Sequence, residues 1–405
     1  MDNDIISRAD QVIAATYKRF PVVITRGQGC TLWDSEGKKY TDFVAGIAVC
    51  SLGHARPEIA KVLLKQADLL LHVSNLYYTV PQVELADRLV QNSFADRVFF
   101  CNSGAEANEA AIKLVRKYFS EKGEKGRYRI IAMENSFHGR TMATLSATGQ
   151  DKIKKGFDPV LDGFDFVPFS DIEALKGKIS GSTCAVLLEP IQGEGGVRCP
   201  DSAYIEAVRR LCDETDTLLI FDEIQTGMGR TGRLFAYEHF GVEPDIMTLA
   251  KALANGLPIG AMLAKEQVVS AFGFGSHAST FGGTPIITSA ALEVLRILME
   301  ENIVDYCQDI GGYFKERLAE LGDRYDAVVD VRGLGLLLAM ELNVEGASIV
   351  NTCMERGFLI NCVQENILRF VPPLVITKEE IDALIECLDE ILGEERENKS
   401  VEENK

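Results

Sequence analysis

Short apolar runs that do not alternate with polar residues constrain this chain most: Arg97–Cys101, Arg129–Met133, Thr183–Leu188, Thr217–Asp222 and Asp245–Leu249. A strand with one wet face alternates, so a strand that is apolar throughout is covered on both faces. Between these runs, apolar residues recur at helical spacing, as in Ala107, Ala110, Ala111, Leu114, Val115 and Tyr118, and again in Ile205, Val208, Leu211 and Cys212. The pattern predicts an α/β fold, a mainly parallel sheet covered by helices. Such sheets bind ligands beyond the carboxyl ends of their strands, so chemistry is sought in the residues that follow each run.

The pattern begins near Pro57, which opens a helix bearing Ile59, Val62, Leu63, Ala67 and Leu70 on one face. After about residue 296 a helix comes first, followed by short strands around Val328–Val331 and Leu336–Leu342. Thr377 and Glu380 form a capping box ahead of the stripe Ile381, Leu384, Ile385, Leu388 and Leu392. The expected organisation is a large domain over residues 57–296 and a smaller α+β domain over 297–392. Residues 1–56 join the smaller domain, and 393–405 form a charged, disordered tail.

The 405 residues carry 42 Lys and Arg against 60 Asp and Glu, a formal net charge of −18. That field repels nucleic-acid phosphates and anionic membranes, so neither is an expected partner. The amino terminus has no signal-peptide pattern, and the ten cysteines include no C-x-x-C pair; a cytoplasmic setting with free thiols and no metal site is expected.

Three motifs follow predicted strands. In the first, Ser103 and Glu106 fit a capping box, leaving the N–H groups of Ser103, Gly104 and Ala105 at a helix start, where an anion is favoured. In the second, Asp222 ends a strongly apolar strand and needs a cationic partner. The same stretch contains Gly227-x-Gly-x-x-Gly232, the letters of a dinucleotide fingerprint. That fingerprint places its glycines directly between strand and helix, whereas Glu223–Thr226 intervene here and Arg230 and Arg233 interrupt the turn. In the third, Lys251 lies just past a strand among Leu249, Ala250, Ala252 and Leu253, surroundings that favour a neutral, nucleophilic amine. Taken singly these are a capped helix, a salt-bridged carboxylate and a surface lysine. Together they supply a phosphate site, an acid for a ring nitrogen and a lysine for a carbonyl, the set required by pyridoxal phosphate enzymes.

The chain resembles the ω-amino (class III) subgroup of pyridoxal-phosphate-dependent aminotransferases, fold-type I enzymes. The resemblance rests on Asn102–Asn108, Phe137–Arg140, Glu189–Glu194, Asp222–Gly227, Lys251 and Ser279–Gly283, and extends from Gly53 to Pro373. It implies that pyridoxal 5'-phosphate is the cofactor. Lys251 would hold it covalently and move a proton between substrate carbon and cofactor, and Asp222 would face the ring nitrogen. By the same resemblance Gln225 lies near the phenolic oxygen, Phe137 stacks on the ring, and Ser103, Gly104 and Ala105 bind the phosphate. Thr280 would reach the phosphate of a neighbouring subunit, implying a homodimer with shared sites, while Ser279 touches substrate.

For the substrates, the resemblance assigns the carboxylate of an acylated amino acid to Arg140. The α-carboxylate of glutamate or 2-oxoglutarate goes to Arg369, with Glu194 as a switch that pairs with Arg369 or releases it. Compact length and the phrase Ala45–Val49 point to N2-acetyl-L-ornithine as amino donor and 2-oxoglutarate as acceptor. Ornithine, 4-aminobutyrate and N-succinyl-diaminopimelate remain alternatives. A nicotinamide-dependent oxidoreductase or an inactive scaffold of the same fold are readings from other classes; intact Lys251 and Asp222 argue against the scaffold. The chain departs from the family in having Ala254-Asn255 where glycines are usual, Arg56 for a frequent histidine and Thr284 for a frequent asparagine.

Overall fold

The computed structural model describes residues 2–403, with side-chain surroundings for residues 4–394. The N-terminal strands are β1 (Ile24–Gln28), β2 (Thr31–Asp34) and β3 (Lys39–Asp42). The central strands are β4 (Arg97–Cys101), β5 (Arg129–Met133), β6 (Phe164–Val167), β7 (Thr183–Leu188), β8 (Leu218–Asp222), β9 (Ile246–Leu249) and β10 (Gly260–Ala264). The C-terminal strands are β11 (Val328–Leu334), β12 (Leu337–Leu342), β13 (Phe358–Leu359), β14 (Asn361–Val363) and β15 (Ile367–Phe370).

The central strands form one seven-stranded sheet in the order β4-β10-β9-β8-β7-β5-β6. Pairings from β9 through β8, β7 and β5 to β6 are parallel, as the unalternating runs require. Every residue of β7, β8 and β9 is buried. The exception is β10, antiparallel to both β4 and β9. Its sequence, Gly260-Ala-Met-Leu-Ala264, is short of the β-branched and aromatic residues that mark strands, so its pattern was silent. At the far edge, β6 carries Asp165, whose Oδ2 takes a hydrogen bond from Arg129 Nε at 2.6 Å across the strand pair.

Two four-stranded sheets make up the smaller part. One is β1-β2-β3-β13, and the parallel pairing of β13 with β3, Phe358 opposite Thr41, builds the N-terminal segment into the C-terminal part of the chain. The other, β11-β12-β15-β14, is antiparallel throughout. Between β3 and the first long helix, Ala45, Gly46, Ile47 and Ala48 all have positive φ, a left-handed turn that delivers Val49 to the central cavity. Asp42 Oδ1 closes its entry by accepting from Val44 N at 2.8 Å and Ala45 N at 2.9 Å.

The Thr377 capping box is present: Thr377 N donates to Glu380 Oε2 at 2.9 Å and Glu380 N to Thr377 Oγ1 at 3.3 Å. The helix it starts runs Lys378–Glu403, so the stretch from Gly393, expected to be disordered, continues as helix; Asn404 and Lys405 lie outside the described residues. Arg356 pairs with Glu390 at 2.7 Å and Glu394 at 2.9 Å.

Asp42 also accepts at Oδ2 from His54 Nε2, 2.7 Å away, and this bond, with a further one to Cys50, holds the imidazole up at about 9. Because the folded value lies above the unfolded one of about 6.5, the pair stabilises fully below pH 6.5 and its contribution is lost as pH rises through 9. His54→Gln is therefore expected to lower the melting temperature more at pH 6 than at pH 10. Equal losses at both values would remove the charged pair from the account.

Candidate active site

The carboxyl ends of β4, β8 and β9 and the segments following β5 and β7 converge on a cavity of about 450 Å³. At the first of these ends, Ser103 caps the helix Gly104–Glu121, its Oγ accepting from Glu106 N at 3.2 Å. The reciprocal half of the expected capping box is displaced by one residue. Glu106 Oε2 accepts from Asn102 N at 2.6 Å and Asn102 Nδ2 at 2.9 Å, and not from Ser103 N. The sequence S-x-x-E reads the same either way, but the shift leaves the N–H groups of Ser103, Gly104 and Ala105 without acceptors among the described residues, lining the cavity. Helix dipole and free donors together favour an anion there. A Cβ on Gly104 would come within 2.7 Å of Ile224 Cδ1, so a larger residue here would have to push that side chain aside.

Asp222 ends β8 and is 3% exposed. Its Oδ2 accepts from Asn108 Nδ2 and His138 Nδ1, both at 2.7 Å, and its Oδ1 from Ile224 N at 3.1 Å. Asn108 is fixed in turn by donating to His138 O at 2.8 Å and accepting from Thr248 Oγ1 at 2.8 Å. Neither Asn108 nor His138 was singled out from sequence, although both stand inside motifs that were; their contact with Asp222 exists only across the fold.

Lys251 follows β9 with φ +44, and its Nζ makes no hydrogen bond among the described residues. Burial lowers its pKa, with Glu194 as the main opposing influence. Glu194 pairs with the buried Arg369, whose Nη1 also donates to Gln225 Oε1 at 3.3 Å. Burial opposes the charge on Glu194, but Arg369 and Lys251 outweigh it and hold its carboxyl below the ordinary value. Glu189, a second buried carboxyl on the cavity, accepts from Phe137 N and Gly193 N at 3.1 Å each. Burial pushes it up to about 7. Glu189 is a further lining residue that the sequence reading passed over, since its spacing to Phe137 carries no signal.

Phe137 and Arg140 line the same cavity, the Arg140 guanidinium 5.5 Å from the Phe137 ring centre. Ser279 stands just behind the lining, its Oγ accepting from Asn102 Nδ2 at 3.1 Å. Thr280 does not reach the cavity of its own chain and is exposed. The remaining sequence candidates are brought together: Ser103, Gly104, Ala105, Asp222, Gln225, Glu194 and Lys251 on the walls, and Arg369 through Glu194 and Gln225.

Residues 12–392 match the family model for class-III aminotransferases. The chain belongs to this family. The acetylornithine aminotransferase of Methanocaldococcus jannaschii is 52% identical over 93% of this chain and 95% of its own length. That of Caldanaerobacter subterraneus subsp. tengcongensis is 51% identical over 97% of this chain and all of its own. Among solved structures, a Toxoplasma gondii ornithine aminotransferase with partial occupancy of pyridoxal phosphate superposes with a TM-score of 0.94. It is 34% identical over 98% of this chain and 96% of that one.

Class-III aminotransferases use pyridoxal 5'-phosphate, and the cavity of this aminotransferase fits that group. Three N–H groups and a lysine amine without partners among the described residues would suit a phosphate and a carbonyl, and a buried carboxyl would suit a ring nitrogen. Ile224 and Phe137 offer apolar walls for a planar ring.

Proposed function

We propose that this aminotransferase moves the δ-amino group of N2-acetyl-L-ornithine to 2-oxoglutarate, giving N-acetyl-L-glutamate 5-semialdehyde and L-glutamate. The observation that carries the donor is the 52% identity, over nearly full length, to a relative bearing the name acetylornithine aminotransferase. A second reading, ornithine as donor, is favoured by the ornithine aminotransferase structure that superposes along the chain.

Within this reading Ser103, Gly104 and Ala105 would hold the phosphate, Phe137 and Gln225 would orient the ring, and Lys251 and Asp222 would serve its carbonyl and its ring nitrogen. The cofactor, when bound, draws electrons away from the substrate carbon so that a proton leaves it easily. Lys251 Nζ accepts and returns that proton, a task its lowered pKa suits because a neutral amine is a base. Asp222, anchored by Asn108 and His138, would face the ring nitrogen, where a carboxylate favours the protonated form.

Arg140 binds the carboxylate of the acylated donor, and Ser279 touches the substrate. With that donor bound, Arg369 stays neutralised by Glu194; when 2-oxoglutarate arrives, its carboxylate takes Arg369 and Glu194 withdraws. One site thus serves two substrates of different charge in turn. Replacing Arg369 by alanine is expected to impair the 2-oxoglutarate half-reaction more than the acetylornithine one. Single-turnover rates for each half decide it, and equal losses would count against the switch.

A homodimer belongs to the same proposal. Leu76, Tyr78 and Phe281 are 83%, 97% and 62% exposed. Asn75 Nδ2 donates to Ser279 O at 3.0 Å, so this apolar surface is continuous with Thr280, which would serve the partner's phosphate. We also propose a large domain over 57–296, a smaller one over 297–392 joined by 1–56, and a cytoplasmic setting that suits the free cysteines. Glutamate production from 2-oxoglutarate with N2-acetyl-L-ornithine, ornithine and 4-aminobutyrate in turn tests the donor. The highest kcat/KM is expected for the acetylated one, and a preference for ornithine would replace it.

A further inference from the structure

The proposed cycle leaves the glycine-rich stretch Gly227–Gly232 without a task. In the structure it is a turn after β8 that carries Arg230, whose side chain is fully buried. A buried guanidinium ordinarily faces a carboxylate. Among the described residues none lies within 4.0 Å of Arg230, and burial lowers its pKa to about 10. Its partners are neutral groups on other segments. Nη1 donates to Leu336 O at 3.0 Å and Pro372 O at 2.5 Å, and Nη2 to Ser51 Oγ at 3.2 Å, while Nε has no partner.

Those segments bear on Arg369. Pro372 lies just beyond β15, the strand that carries Arg369. Val371 N donates to Phe43 O at 2.9 Å and Leu374 N to Ser51 O at 2.7 Å, so the end of β15 is laced to the segment that delivers Val49 to the cavity. Gln225, near the start of the same turn, receives Arg369 Nη1 at 3.3 Å. One turn therefore holds Arg369 at two points: its guanidinium through Gln225 and the end of its strand through Arg230. Only a planar fork with several donors spans Leu336, Pro372 and Ser51 at once; a lysine ammonium at this position lacks that reach.

We infer that Arg230 is a positioning residue for the keto-acid half of the reaction, setting, through Pro372 and Ser51, the strand that presents Arg369 to the substrate carboxylate. The inference deepens the proposed function and rests on its assignment of Arg369. A residue that served only folding would weaken both half-reactions alike, whereas misplacing Arg369 weakens the half that uses it.

The test uses the holoenzyme. In Arg230→Lys, the KM for 2-oxoglutarate is expected to rise about tenfold while the single-turnover rate with N2-acetyl-L-ornithine changes less than about twofold, because small displacements of a binding group act on the step that needs it. In an Arg369→Lys background the same substitution is expected to add little, since the group it positions is already altered. Equal loss in both halves, or full additivity with Arg369→Lys, overturns the inference. Should Arg230→Lys fail to fold, Ser51→Ala removes only the Nη2 acceptor; a smaller rise in the same KM supports the inference and an unchanged KM overturns it. Arg369→Lys alone separates the two levels: an unchanged keto-acid KM there overturns the assignment of Arg369 without any Arg230 variant.

Discussion

Lys251→Ala is expected to abolish amino transfer, by on the order of 10⁵-fold or more, and to leave the fold intact. The first half of that expectation follows from position. The amine makes no hydrogen bond among the described residues, lines the same cavity as the helix start, and feels the charges of Glu194 and Asp222. No neighbouring amine is placed to replace it: Lys251 is the only lysine among the residues lining the cavity. The second half follows from what the side chain costs. A buried amine whose pKa is lowered by burial contributes nothing to folding through a bond it does not make. Alanine at φ +44 bears the same backbone strain as lysine, so that cost is unchanged. The melting temperature of the cofactor-free variant is accordingly expected to equal or exceed that of the parent. Glutamate formation from 2-oxoglutarate measures turnover, and thermal melts measure the fold. Retention of about a tenth of parental turnover would remove Lys251 from the chemistry.

The second large effect is expected at Asp222. Asp222→Ala removes the acceptor of three donors: His138 Nδ1 and Ile224 N lose theirs, while Asn108 Nδ2 keeps only His138 O. A buried donor left unpaired costs about 1–3 kcal/mol, so this variant is expected to lose stability as well as activity. Asp222→Asn separates the two. It keeps the shape and a hydrogen-bonding group but loses the charge that would hold the ring nitrogen protonated. Turnover is expected to fall by on the order of 10³-fold or more in both variants, with the melting temperature falling further in Asp222→Ala. Near-normal turnover in Asp222→Asn would sink the ring-nitrogen role and leave Asp222 as an anchor for His138.

The places where sequence and structure diverge share a cause. Asp222 and Lys251 were legible because each is marked by its own neighbours, an apolar run that ends in a polar residue. β10 was missed because glycine and alanine carry little strand signal, although its pairing with β4 and β9 makes it part of the sheet. The cap at Ser103 was legible, yet the choice of Glu106 to bond Asn102 N was not. That choice depends on Asn102 also reaching Ser279, on a segment far along the chain. The final helix continues past Gly393, where Arg356, at the end of another helix, pairs with Glu390 and Glu394. Composition alone could not supply that partner.

The sequence by itself determined the parallel sheet, the edge at which its chemistry lies, and the three residue types delivered there, since each depends on local periodicity and on what directly follows a strand. Only the tertiary structure decided which groups meet. Asn108 and His138 close on Asp222, Glu194 closes on Arg369, and Arg230 buries its charge against Leu336, Pro372 and Ser51. These contacts join residues far apart in the chain. Their energies come from excluding water around paired polar groups, a condition that exists only once the sheets and their covering segments have packed.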